Sequence, residues 1–132
     1  MRNLFDIPKP QNGFIDIFTP NNTNFNSYMS TWEKPSGIIM IRILCIGSGG
    51  GGSSGFPSAT ATARGGGAGG GSGGISMVDI PAMLVPDVLY VFVGEGGKGG
   101  ASSTTVSNAG IYGGTSFVST SPDYNNTYAL VL

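Results

Sequence analysis

Apolar residues along this chain alternate with other residues in short runs, and each run is closed by glycine, proline or asparagine. Residues 38–46 form the strongest run. Ile39, Ile41, Ile43 and Cys45 share one parity, and Ile38, Met40, Leu44 and Ile46 share the other, broken only by Arg42. Period-two spacing predicts a β-strand, and apolar side chains on both faces predict one that is covered on both sides. Residues 88–93 repeat the pattern. Residues 14–18 read as a short strand closed by Thr19-Pro20, and residues 75–80, 115–119 and 128–132 as weaker strands. No stretch of helical length keeps apolar spacing without Gly or Pro breaking it, so little or no helix is expected. The expected fold is mainly β, a jelly-roll-like β-sandwich with long glycine-rich loops gathered at one end. Its expected core is Ile39, Ile41, Ile43, Leu89, Val91 and Val93 together with Trp32.

Composition changes this picture in one respect. Of the chain's 132 residues 24 are glycine, and 14 of those fall within residues 47–74, between the strong strands. A second, lighter cluster occupies residues 94–114. Such a tract has no side chains to bury and loses much entropy on ordering, which suits a flexible loop. It equally suits extended polyglycine segments packed side by side, whose backbones approach as closely as the axial glycines of collagen. The pattern leaves both readings open.

Charge and chemistry exclude more than they select. Charged residues make up 10% of the chain and the net charge is −1, so no basic field exists to attract a nucleic-acid backbone. There is no histidine and a single cysteine, Cys45, which removes the commonest general base, any intrachain disulfide and any thiolate metal site. Cys45 ends an apolar strand and reads as a small buried hydrophobe. No two of the seven acids lie closer than eight positions, so no carboxylate pair or calcium loop is visible. Gly94-Glu95-Gly96-Gly97-Lys98-Gly99 follows a strand and fits a dinucleotide fingerprint. That chemistry needs a helix to begin there, and β-leaning residues 101–106 follow instead. No catalytic, cofactor-binding or metal-binding residue is assigned, and no enzymatic activity is expected. No apolar run is long enough to span a bilayer, and no signal-peptide pattern follows Arg2. Membrane insertion is not expected, and the chain reads as made in a cytoplasm.

The most informative segment is Trp32-Glu33-Lys34-Pro35-Ser36-Gly37, followed by an apolar strand and then a glycine run. A second strand follows, then Val93-Gly94-Glu95-Gly96-Gly97-Lys98-Gly99-Gly100, and then Gly113-Gly114-Thr115-Ser116-Phe117. In that order, over residues 25–132, the arrangement resembles the glycine-rich domain of tailed-bacteriophage fibre and adhesin proteins. The chain departs from that pattern at Val85-Pro86-Asp87, where a Pro-Gly turn is usual. It also lacks a further glycine run after the last strand, so it reads as the N-terminal part of a longer protein.

The resemblance implies a non-enzymatic virion component: a tail fibre or adhesin, or a head fibre. Residues 1–20 are expected to form an extended attachment arm and residues 21–132 the glycine-rich β domain. Pro8, Pro10 and Gly13 oppose compact structure in the arm, while Leu4, Phe5, Ile7, Phe14, Ile15, Ile17 and Phe18 supply apolar contacts for another virion protein. Host-surface glycan or protein would be bound by backbone and small side chains of the glycine loops. The chain is expected to self-associate, with three copies favoured by the resemblance and two as the second choice. Two alternatives remain open: a purely structural capsid or baseplate decoration protein, and a virion-associated glycan-degrading enzyme, which would need two converging acids and several aromatics.

Overall fold

The computed structural model describes residues 14–20, 29–56, 65–123 and 128–131. They form two antiparallel sheets. The larger has strand order β1-β4-β5-β6, from β1 (Met29–Glu33), β4 (Val88–Phe92), β5 (Phe117–Ser119) and β6 (Ala129–Val131). The smaller pairs β2 (Met40–Ile46) with β3 (Ile75–Pro81). A 3-10 turn, Ala82–Leu84, leads from β3 toward β4. The protein is mainly β with almost no helix.

Both sheets contribute to one core. Ile41 and Cys45 from β2, Leu89 from β4, Val118 from β5 and Val131 from β6 are buried together, with Ala82 and Val85 closing one side. Trp32, Ile43, Val78 and Val91 pack against this cluster half-buried. Phe92 and Phe117, which face each other across β4 and β5, are buried with their rings stacked 4.4 Å apart.

Lys34 anchors the turn. Its ammonium donates to the carbonyls of Val85 (2.7 Å) and Ala82 (3.3 Å) and meets the Asp87 carboxylate at 2.9 Å. Gly37 has φ +81°, a left-handed conformation that favours glycine and turns the chain into β2.

Four expectations are corrected. Ile39 is not core: it lies just before β2 and is 82% exposed. The strand over 38–46 is covered on one face only, because Met40, Leu44 and Ile46 are exposed. Residues 14–20 join no sheet. Trp32 lies within a strand, β1, that the pattern did not predict.

Candidate functional site

The glycine segments order into a bundle with no ordinary sheet or helix in it. Residues 47–56 form its centre. The N–H groups of Gly47, Gly50, Ser53 and Phe56 donate to the carbonyls of Gly74, Gly71, Ala68 and Gly65 at 2.8, 2.9, 3.0 and 3.0 Å. Those of Ser48, Gly51 and Ser54 donate to the carbonyls of Gly114, Ile111 and Asn108 at 3.3, 2.8 and 2.8 Å. The carbonyls of Gly49 and Gly52 accept from the N–H groups of Gly97 and Gly100, both at 2.8 Å. The partner therefore changes at each residue and recurs every third residue. That is the signature of a threefold, polyproline-II-type backbone whose hydrogen bonds all run to neighbouring segments.

The same period dictates where glycine is needed. A Cβ at Gly67, Gly70 or Gly73 would come within 3.0 Å of the Ser53, Gly50 or Gly47 carbonyl oxygen. The second cluster repeats this: Gly94, Gly97 and Gly100 press on the carbonyls of Gly114, Ile111 and Asn108. Gly66, Gly69, Gly71 and Gly74 have nothing within 4 Å. Glycine is thus required for close approach along one row of segments 65–74 and 94–100, and at Gly51, Gly52, Gly110 and Gly113 in the segments they face. Of the two readings left open above, ordered, packed segments are the one the structure contains.

Serine hydroxyls cross-link the bundle. Ser53 Oγ accepts from the N–H of Ala68 and Ser54 Oγ from that of Asn108, each at 2.8 Å. Ser48 Oγ donates to the Gly94 carbonyl at 2.5 Å. Where the bundle meets the sheets, a groove of about 360 Å³ is lined by glycines, by Ile75 and by the hydroxyl-bearing residues Ser48, Ser72, Ser76, Thr115 and Ser116. It carries no charged or aromatic side chain. This lining offers hydrogen bonds but no acid, base or nucleophile activated by a neighbour.

Away from the groove, two charged side chains pair on β2 and β3. Arg42 donates through Nε and Nη2 to both carboxylate oxygens of Asp79, at 2.7 and 2.8 Å. That hydrogen bond holds the Asp79 carboxyl below its ordinary range and the Arg42 guanidinium above its own. Burial pushes the Cys45 thiol up, as expected of an inert core cysteine. Among the described residues no three His, Cys, Asp or Glu side chains gather as a metal site, and no helix is long and apolar enough to cross a membrane.

Of the expected attachment residues, Phe14, Ile15 and Ile17 are 75%, 84% and 82% exposed, and Phe18 is half-buried. Leu4, Phe5 and Ile7 lie outside the described residues. Sequence reasoning missed Asp16, whose carboxylate accepts from the Trp32 indole N–H at 2.9 Å and ties this segment to β1. No local signal links two residues so far apart.

Comparison with protein families agrees with the bundle: the model of a family described as a glycine-rich domain matches residues 23–129. The chain belongs to that family. The match starts ahead of β1 and runs through both glycine clusters to β6, so the glycine-rich domain comprises sheets and bundle together. No curated protein and no solved structure matched the chain.

Proposed function

We propose that this glycine-rich domain is a non-enzymatic structural part of a tailed-bacteriophage particle, a tail fibre, adhesin or head fibre that attaches through residues 1–20. The observation that carries the reading is the bundle itself. Its bonds run backbone to backbone, its hydroxyls lock neighbouring segments, and its groove holds no ionisable group. Such a construction gives stiffness and small-side-chain contacts rather than chemistry. In this reading the two sheets are the layers of a jelly-roll-like β-sandwich, and the bundle projects from it toward a host-surface glycan or protein. The chain is made in the host cytoplasm, is carried on the virion and self-associates.

The apolar exposure of Phe14, Ile15 and Ile17 supports an arm that orders against another virion protein. Deleting residues 1–13 should leave a folded domain that no longer joins particles, as read by immunoblot of purified virions. Normal occupancy of the truncated chain would remove the attachment role. A purely structural decoration protein of capsid or baseplate is the second reading, favoured by the exposed backbone of residues 65–71. Labelled-antibody electron microscopy of particles separates tail from head. Polysaccharide hydrolysis abolished by one Asp or Glu substitution would instead establish the glycan-degrading alternative.

A further inference from the structure

Among the described residues, none covers the outer face of the β2–β3 sheet. Register places Met40 beside Pro81, Arg42 beside Asp79, Leu44 beside Met77 and Ile46 beside Ile75 on that face. Met40, Leu44, Ile46, Ile75 and Met77 are 55%, 55%, 58%, 73% and 61% exposed. Together they put on the order of 400 Å² of apolar surface into water, the size of the largest patch on a typical monomer and often a functional one. The opposite face of the same two strands supplies the core.

We infer that this face is where two copies of the chain meet, related by a twofold axis that runs along the strands between β2 and β3. The inference rests on the self-association part of the proposed function and identifies its surface. Charge selects the occupant. Across residues 38–56 and 65–84 the only charged side chains are Arg42 and Asp79, and they sit side by side on the outer face. A twofold axis along the strands lays each residue over its own cross-strand neighbour in the partner. Arg42 then faces the partner's Asp79 twice, and Leu44 faces the partner's Met77 twice. Arginine has five N–H donors, and the pair within one chain uses two, so the guanidinium keeps donors for the second carboxylate. The four charges close into an alternating square with no charge left over, while apolar side chains meet on either side.

The apolar patch supplies about half of the area such an interface needs, and the bundle segments that prolong it supply the remainder. A stable interface takes about 800 Å² from each partner, and the bundle segments 47–56 and 65–74 prolong the two strands without adding a charge. Sheets stacked face to face lie about 10 Å apart with strands rotated by about 30°, which long aliphatic side chains can fill. Such a contact is isologous and closes at two copies. Three copies would need one patch to bind a different one.

Sedimentation equilibrium of the whole chain tests the inference. The native chain should sediment as a dimer. Arg42→Asp and Asp79→Arg should each be monomeric, because each sets like charges face to face. An equimolar mixture of the two variants should regain dimer mass, since the mixed pair restores both contacts. Leu44→Lys, at an exposed position that the monomer does not need, should weaken dimerisation at least about tenfold with an unchanged far-UV circular dichroism spectrum. A native monomer at the highest soluble concentration, a three-copy mass, or a dimer indifferent to Leu44→Lys would overturn the inference. Each of those results leaves the arm-dependent attachment to be decided by the virion immunoblot.

Discussion

Gly69 and Gly70 are adjacent in the chain and opposite in their surroundings. A Cβ at Gly70 would collide with the Gly50 carbonyl, whereas one at Gly69 would meet nothing within 4 Å. Gly70→Ala should therefore destabilise the domain by about 1–3 kcal/mol through overpacking. Gly69→Ala should be neutral or stabilising by up to about 1 kcal/mol, because alanine has less freedom to lose and the site needs no left-handed backbone. Urea denaturation of the two variants checks the contrast, and equal effects would mean that the segments are not packed as described. Cys45 gives a second test at this scale. Burial raises its pKa, so the neutral thiol favours the fold at every pH below the ordinary thiol value of about 8.5, and that contribution is lost as pH rises through the raised, folded value. In folded protein near neutral pH the thiol should react with a disulfide reagent only at the rate of unfolding, and adding urea should release it. Fast labelling of native protein would contradict the burial. The need for glycine was legible in composition, but its period of three was not. Ser53, Ala68 and Lys98 interrupt the tracts without breaking the hydrogen-bond pattern, so no strict repeat appears in the sequence.

At the scale of elements, alternation located β2 and β4 well and misjudged what covers β2. Ile39 and Ile41 share a parity and looked equivalent, yet Ile41 is 9% exposed and Ile39 82%. The difference arises because the in-out alternation breaks just ahead of β2, where Ile38 rather than Ile39 packs against the core. Ile41→Ala should cost about 2–5 kcal/mol and Ile39→Ala less than about 0.5 kcal/mol, read as the difference in denaturation midpoints. Similar costs for both would restore the symmetric strand that alternation alone suggests. Strand β1 escaped the pattern because it is an edge strand, with Trp32 the one partly covered residue in a run of exposed ones. Residues 14–18 erred in the other direction. They carry the alternation of a strand, but Asp16 bonds to the Trp32 indole and no ladder forms. Periodicity reports which side chains could share a face, and only the tertiary contacts decide whether a neighbour is present.

For the molecule as a whole, sheets and bundle are one continuous construction. Strand β2 runs into segment 47–56, segment 65–74 into β3, β4 into segment 94–100, and segment 108–114 into β5. The central segment 47–56 hydrogen-bonds to all three others, so no bundle segment can detach without loosening a strand at its end. Stacked Phe92 and Phe117 sit just inside this junction, where Ser48 and Ser116 both bond to Gly94. Small domains unfold as a unit when their contacts are shared in this way. The fluorescence of Trp32, which lies in the larger sheet, and the exchange of the Gly50, Gly51 and Ser54 amides, which lie in the bundle, should report a single transition with one midpoint. Gly70→Ala should move both by the same amount even though Trp32 lies in β1 of the larger sheet. Within the centre, Gly49 and Gly52 donate no backbone hydrogen bond among the described residues, so their amides should exchange faster than those of Gly50 and Gly51 and print the period of three onto the protection pattern. Two separated transitions, with the bundle amides exchanging well before Trp32 reports unfolding, would make the bundle an independent and weaker unit rather than the extension of the sheets.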